Sequence, residues 1–174
     1  AQLPKYRGGI IGLGWTGMLY DLPQVNPVPG RGRGSWKGED IDRPTPELDP
    51  HVEFHLYDHP GSENKAHTYA EALWDRPEVD LVAGCDRVPK RLELFTERYG
   101  VEAVYEDAEE MLRKEKLDIV AIPSNVKGRV DLACLAVKYG VKGIFTEKPL
   151  AHTLEEADRA VKACSEAGVP FSCG

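Results

Sequence analysis

A glycine-rich turn directly behind a short apolar strand constrains this chain more than any other feature. Residues 9–11 read as the strand, and Gly12-x-Gly14-x-x-Gly17 follows at once. The first glycine allows a tight turn, the second lets a ligand approach the backbone, and the third permits close contact between helix and strand. The pattern indicates a strand–turn–helix unit whose amides face a phosphate group, although a glycine turn in another α/β fold remains an alternative.

Beyond residue 66, apolar strand-like runs alternate regularly with helical patterns. Strands are predicted at 80–85, 103–105, 118–122, 143–146 and 169–173, and helices at 67–74, 89–99, from 108, at 129–139 and at 154–167. Strands that alternate with helices form a parallel sheet covered on both faces. With the first strand the count is six, which predicts an α/β fold with a doubly wound, parallel, six-stranded Rossmann sheet.

Apolar spacing predicts which face of each helix is buried. In the helix over 89–99 we expect Leu92, Phe95 and Tyr99 to face inward, and Gly100 to end the helix. In the last helix, Thr153-x-x-Glu156 forms a capping box. Its expected inner stripe consists of Leu154, Ala157, Val161 and Cys164.

The regular alternation is interrupted over 18–66, which holds seven of the thirteen prolines and five glycines. Because proline lacks an amide donor and glycine is costly inside helices, we interpret this segment as a long inserted loop. It begins beside Gly17, so we expect it to form a lid or an oligomer contact, and the chain is compatible with a homo-oligomer. A local basic patch in it, Arg31, Arg33 and Lys37, is expected to be solvated.

The inserted segment also contains three regularly spaced histidines, His51, His55 and His59. On a continuous helix they would share a face and could bind a metal ion. Pro50 and Pro60 bracket them, however, and the alternation between them favours a strand or a loop. We therefore predict no metal site.

Composition excludes several classes of protein. The 174 residues carry a net charge of −7, which makes nucleic acid a poor partner. No apolar run approaches the roughly 18 residues that span a membrane. The cysteines show no CxxC spacing, and we expect them to be reduced and mostly buried, as in a cytoplasmic protein. They are Cys85, Cys134, Cys164 and Cys173.

Two further strand ends carry candidate binding groups. Asp86 closes the second strand, 72 positions after Gly14 instead of the usual roughly 20, and the inserted segment accounts for the difference. An acidic residue there binds ribose hydroxyls and would repel a 2′-phosphate, so the pattern favours NAD while NADP stays open. Glu147-Lys148-Pro149 follows the fifth strand, where Lys148 would enter the ligand crevice unless the pair is simply a surface turn.

Four motifs in order make a family resemblance specific. They resemble the N-terminal dinucleotide-binding domain of the glucose–fructose oxidoreductase / inositol dehydrogenase / MocA family, over about 7–17 and 67–174. The motifs are Gly12-Leu-Gly-Trp-Thr-Gly17, Val82-Ala-Gly-Cys-Asp-Arg87, Asp118-Ile-Val-Ala-Ile-Pro-Ser-Asn125 and Thr146-Glu-Lys-Pro-Leu150.

The resemblance implies a role for each matching residue. Asp86 and Arg87 match the adenosine-ribose end of the site, and Lys148 is implied as the catalytic residue that orients or deprotonates a substrate hydroxyl. The pyrophosphate loop is matched by Gly12, Leu13, Gly14, Trp15, Thr16 and Gly17, and the nicotinamide side by Pro123, Ser124, Asn125, Glu147 and Lys148. Many relatives carry a histidine where this chain has Gly128.

The resemblance also implies an activity and a missing part. Relatives transfer hydride between NAD(P) and a sugar, inositol or related polyol, and a second domain supplies most substrate contacts. We expect residues 1–174 to be the NAD(P)-binding domain alone and to be inactive in isolation. A non-catalytic dinucleotide-binding module, such as a redox sensor or regulatory subunit, is the alternative, and a methyltransferase with a similar glycine loop fits less well.

Overall fold

The computed structural model describes residues 5–19, 66 and 68–174. Several predictions therefore lie outside the described residues. They concern the body of the 18–66 segment, its three histidines and its basic patch.

Six parallel strands in the described residues form one sheet in the order β3-β2-β1-β4-β5-β6. Their bounds are Tyr6–Ile11 for β1, Val79–Cys85 for β2, Val104–Tyr105 for β3, Ile119–Ile122 for β4, Gly143–Thr146 for β5 and Phe171–Cys173 for β6. This order is that of the doubly wound dinucleotide-binding fold, so the predicted fold class is confirmed. The chain leaves β1 toward one side of the sheet and β4 toward the other.

Five α-helices connect the described strands, preceded by a π-helical turn at Trp15–Leu19, here called the glycine-loop turn. The helices are α1 at Tyr69–Trp74, α2 at Pro89–Tyr99, α3 at Ala108–Glu115, α4 at Arg129–Lys138 and α5 at Leu154–Ala167. Side chains of Thr68, Asp107 and Thr153 cap three of the N-termini. Gly100 and Gly168 end α2 and α5 in the left-handed conformation that favours glycine.

Two apolar cores lie on opposite faces of the sheet, as expected for buried parallel strands. Ile10 and Phe95 belong to the core under α1 and α2, whereas the adjacent Ile11 belongs to the core under α3, α4 and α5. Phe95 is completely buried, and its ring lies so close to Gly84 of β2 that a Cβ there would be 2.6 Å away. The expected inner face of α2 is confirmed.

The structure moves one boundary of the predicted insertion. Met18 and Leu19 were assigned to the 18–66 loop, but both belong to the glycine-loop turn and are fully buried in the first core. Their apolar side chains continue the helical spacing from Trp15, and the proline-rich composition begins only after them.

The predicted inner stripe of α5 is wrong in two positions. Leu154 is 80% exposed and Val161 is 52% exposed, whereas Ala160 and Cys164 are buried. Helix α5 packs against α4, and the core residues that are buried on the two helices are small: Ala133, Ala136 and Cys164.

The four cysteines are all free thiols, as expected. Cys85 and Cys164 are buried, Cys134 is partly buried and Cys173 is exposed, so the expectation of mostly buried cysteines fails for Cys173. Among the described residues, no helix is long and apolar enough to span a bilayer.

Replacing Phe95 by alanine tests the first core. The substitution leaves a cavity against Gly84 in a fully buried site, and we expect a loss of about 3–5 kcal/mol in the free energy of unfolding. Leu154→Ala removes a similar volume at an exposed position and should change that free energy by about 0.5 kcal/mol or less. Urea unfolding measures both, and equal losses would contradict the burial pattern.

Candidate functional site

A cleft of about 830 Å³ opens at the carboxyl ends of the strands, beside the point where β1 and β4 lie next to each other. Its volume is within the range of about 300–1,000 Å³ that is usual for small-molecule sites. Of the residues predicted for the site, all line this cleft except Leu13 and Gly17, which are buried behind its wall. The structure thus brings together four loops that are far apart in the sequence.

The glycines of the first loop differ in what surrounds them. Gly12 has a φ of +105°, and a Cβ there would lie 2.8 Å from the Ser124 backbone. At Gly17 a Cβ would lie 2.0 Å from the Gly12 carbonyl oxygen. At Gly14 a Cβ would meet no atom within 4 Å, although this residue lines the cleft. Gly12 and Gly17 are therefore needed for packing, whereas Gly14 leaves open space in the cleft.

Asp86 joins the end of β2 to the glycine loop. Its Oδ2 accepts a hydrogen bond of 2.8 Å from the Leu13 amide, and its Oδ1 accepts one of 2.9 Å from the Val88 amide. The carboxylate is only 9% exposed, and the Arg91 guanidinium lies 3.6 Å from Oδ2. Since a carboxylate has about four lone-pair sites, Asp86 can fix the loop and still accept hydrogen bonds from a ribose.

Basic side chains lie next to this carboxylate at the β2 end of the cleft. Arg87 is exposed and lines the cleft as predicted. Arg91 also lines it, and sequence reasoning missed this residue. The available signal was its place in the first turn of α2, where a helix that starts just after Asp86 turns its side chains back toward the strand end.

The loop after β4 forms the floor between the two halves of the cleft. Pro123 is buried, whereas Asn125 is exposed and its Oδ1 accepts a 3.2 Å hydrogen bond from the Lys127 amide. The backbone of Ser124 lies directly against Gly12. This contact couples the β4 loop to the glycine loop without any side chain between them.

The loop after β5 presents Lys148 to the cleft, and the Lys148–Pro149 peptide bond is cis. The Tyr69 hydroxyl donates hydrogen bonds to this loop, at 3.3 Å to Oε1 of the neighbouring Glu147 and at 3.1 Å to the Thr146 carbonyl. Burial, followed by the charge of Glu147, raises the pKa of Tyr69 to about 12. The phenol therefore remains a hydrogen-bond donor throughout the neutral pH range.

Arg129, the first residue of α4, was also missed by sequence reasoning. It lines the cleft, is 4% exposed, and donates hydrogen bonds to backbone carbonyls of both the β4 and the β5 loop. The sequence did contain a signal for Arg129. A positive charge in the first turn of a helix is repelled by the helix dipole, so an arginine there indicates a specific hydrogen-bonding or ionic partner. Within the described residues, no group of three or more histidine, cysteine or acidic side chains could hold a metal ion.

Comparison with known proteins assigns this cleft to a family. Residues 61–174 match the model of GFO_IDH_MocA, an oxidoreductase family with an NAD-binding Rossmann fold. The match covers more than half of the chain, which therefore belongs to the glucose–fructose oxidoreductase / inositol dehydrogenase / MocA family, as its motifs predict. The domain is thus an NAD-binding Rossmann domain, and the open space at Gly14 in the cleft wall is compatible with a dinucleotide ligand.

Individual relatives extend this comparison. The chain is 40% identical over 93 residues to D-apiose dehydrogenase of Paraburkholderia graminis, which covers 53% of the chain and 24% of that protein. It is 32% identical over 108 residues to myo-inositol 2-dehydrogenase of Thermotoga maritima, which covers 61% of the chain and 31% of that protein. The aligned region is thus a third or less of each relative.

A solved structure shows the same fold. It is an oxidoreductase from Agrobacterium radiobacter in complex with NAD+, L-tartaric acid and magnesium. The TM-score is 0.63 at 20% identity, and the alignment covers 98% of this chain and 35% of that one.

Alanine substitutions at Gly14 and Gly17 separate the two glycine roles. Gly17→Ala places a methyl group against the Gly12 carbonyl and should cost about 1–3 kcal/mol or more in the free energy of unfolding. Gly14→Ala should leave that free energy nearly unchanged but lower NAD affinity, since its methyl group projects into the cleft. Urea unfolding and titration calorimetry measure the two effects, and a destabilised Gly14→Ala with intact affinity would refute the assignment.

Proposed function

We propose that this chain is the cofactor-binding domain of an oxidoreductase that transfers hydride between a nicotinamide cofactor and a sugar, inositol or related polyol. The observation that carries the proposal is the convergence of four strand-end loops on one cleft. They are the glycine loop, the β2 end at Asp86, the Pro123–Asn125 loop and the Glu147–Pro149 loop. D-apiose and inositol dehydrogenases among the relatives support this substrate class.

The β2 side of the cleft binds the adenosine half of the cofactor. Asp86 accepts hydrogen bonds from the ribose hydroxyls, and Arg87 lies against the adenine or its ribose. The carboxylate would repel a 2′-phosphate, although Arg87 and Arg91 offset part of that repulsion. The site therefore prefers NAD over NADP and does not exclude NADP. The loop from Gly12 to Gly17 receives the pyrophosphate, with Gly12, Gly14, Trp15 and Thr16 at the cleft surface and Leu13 and Gly17 behind it.

The β4 and β5 loops receive the nicotinamide half and the substrate. Pro123, Ser124 and Asn125 line the nicotinamide, and Glu147 and Lys148 lie near its ribose. Bound NAD+ supplies the hydride acceptor. Lys148, exposed in the cleft, contacts the reacting hydroxyl and either orients it through a hydrogen bond or, as a neutral amine, accepts its proton while the hydride leaves the carbon for NAD+.

A second domain, which supplies most substrate contacts, completes the active enzyme. This proposal rests on the family resemblance and on the fact that the chain aligns with only about a third or less of its relatives. We further propose a cytoplasmic protein, supported by four free thiols, with no nucleic-acid partner because the net charge is −7. The chain is compatible with a homo-oligomer.

Titration calorimetry with NAD+, NADH and NADP+ tests the proposal on the chain itself. We expect both NAD forms to bind, and NAD+ to bind more tightly than NADP+. Circular dichroism establishes that the protein is folded. A folded chain that binds no dinucleotide would overturn the proposal.

Replacing Asp86 by alanine should weaken NAD+ binding by at least about tenfold, since it removes ribose contacts and the bond to the Leu13 amide. NADP+ binding should fall less, because the loss of the carboxylate also removes its repulsion of the 2′-phosphate. Asp80→Ala changes an exposed aspartate in the same strand β2, away from the cleft, and should leave both affinities unchanged. Equal losses for both cofactors would contradict the role of Asp86 in cofactor choice.

Replacing Lys148 by methionine should separate chemistry from cofactor binding. In the enzyme that carries the substrate domain, we expect the rate of polyol-dependent NAD+ reduction, followed at 340 nm, to fall by about 10²-fold or more. NAD+ affinity should change only a few-fold. A variant with nearly normal turnover would show that Lys148 does not contact the reacting hydroxyl.

A further inference from the structure

Arg129 is a buried cation at a place where a cation is disfavoured. It is the first residue of α4 and is 4% exposed. A positive charge there faces the positive end of the helix dipole, and its transfer out of water is costly. Burial accordingly lowers the pKa of Arg129, and the Glu147 carboxylate partly compensates. The cost of burying this charge must be offset by specific contacts of the guanidinium group.

The guanidinium group makes those contacts with three backbone carbonyls. Nε donates to Ser124 at 3.1 Å, and one terminal nitrogen donates to the same oxygen. The other terminal nitrogen donates to Glu147 at 2.5 Å and also to Pro149. The planar group offers five donors in a fixed geometry, so it can bind several carbonyls at once in a way that the single ammonium of lysine cannot.

The three carbonyls belong to two separate loops of the cleft. Ser124 follows β4, whereas Glu147 and Pro149 flank Lys148 after β5. Within the described part of the chain, the hydrogen bonds of Arg129 are all with these two loops, and none of them is with the glycine loop or Asp86. Arg129 therefore links only that half of the cleft which is proposed to receive the nicotinamide.

We infer that Arg129 is a positioning residue that holds the β4 and β5 loops in one arrangement and thereby places Lys148 and Asn125 on the nicotinamide half of the ligand. The inference rests on the proposed function. It assigns the second half of the cleft a fixing group of its own, as Asp86 fixes the glycine loop in the first half.

This division predicts an effect that a merely structural arginine would not have. Loss of Arg129 should weaken a ligand that reaches the nicotinamide side and spare one that ends at the pyrophosphate. Adenosine diphosphate is such a shorter ligand, because it carries the adenosine and the pyrophosphate without the nicotinamide riboside.

The experiment compares Arg129→Lys and Arg129→Met with the unchanged chain. Calorimetry measures the affinities for NAD+ and for adenosine diphosphate, and thermal unfolding followed by circular dichroism shows that each variant is folded. Arg159→Met is the matched control. Arg159 is an exposed residue of α5 that pairs with Asp131 of α4, the helix that Arg129 begins, and this ion pair does not involve either loop. We expect a loss of at least tenfold for NAD+ and at most twofold for adenosine diphosphate in both Arg129 variants, with no change in the control.

Amide hydrogen exchange gives a second readout that needs no ligand. Residues 124–127 and 147–151 should exchange faster in Arg129→Lys, while residues 82–88 should keep their rates. If Arg129→Met fails to fold, Arg129→Lys and its exchange pattern carry the test.

Several outcomes would overturn the inference. They are unchanged NAD+ affinity, equal losses for both ligands, exchange that rises throughout the chain, and failure of both variants to fold. In the unchanged chain, NAD+ that binds no more tightly than adenosine diphosphate would overturn it as well. Absence of all nucleotide binding in the unchanged, folded chain would instead overturn the proposed function, which removes the basis of the inference.

Discussion

The position of β1 between β2 and β4 is the constraint on which the cleft depends. All six described strands are parallel, so their carboxyl ends lie at one edge of the sheet. Because β2 lies beside β1 on one side and β5 lies beside β4 on the other, the strand order reverses between β1 and β4, and this fold binds its ligands at that point. The glycine loop, Asp86, the β4 loop and the β5 loop then meet there, although Gly12 and Pro149 are far apart in the sequence.

Backbone contacts, more than side chains, keep these loops close. Ser124 packs on Gly12, and the Gly12 carbonyl in turn fills the space beside Gly17. Charged side chains then fix the loops that backbone packing leaves free. Asp86 accepts from the glycine-loop amide of Leu13, and Arg129 donates to the carbonyls of the other two loops. An anion holds amides on one side of the cleft, and a cation holds carbonyls on the other.

Local sequence patterns predicted most of the fold because the ends of helices and strands depend largely on residues that are close together in the chain. A proline start and a glycine end set the bounds of α2, and β5 was predicted with its observed ends. The site was also largely predictable, since the fold places strand-end motifs at a common edge. Leu154 and Val161 were misassigned because hydrophobicity does not tell a large exposed residue from a core residue when small residues make the helix contact.

Arg91 and Arg129 escaped prediction for another reason, because the role of each depends on partners that only the folded chain brings into contact with it. Arg129 contacts carbonyls 5, 18 and 20 positions away, and carbonyls carry no sequence information. Met18 and Leu19 were likewise assigned to a loop, since only the packed core shows that the glycine-loop turn extends that far.

The cysteines of this domain differ in exposure, so their reaction with alkylating reagents can be used to measure local opening of the structure. The thiolate is the reactive form of cysteine, so both accessibility and pKa govern how fast each sulfur is alkylated. Cys173 is exposed, whereas burial raises the pKa of Cys85 to about 12 and also raises that of Cys164. Alkylation of Cys85 in β2 and of Cys164 in α5 therefore requires local opening of these elements. The alkylation rates of these two residues, compared with that of Cys173, measure how often different parts of the sheet and its helices open.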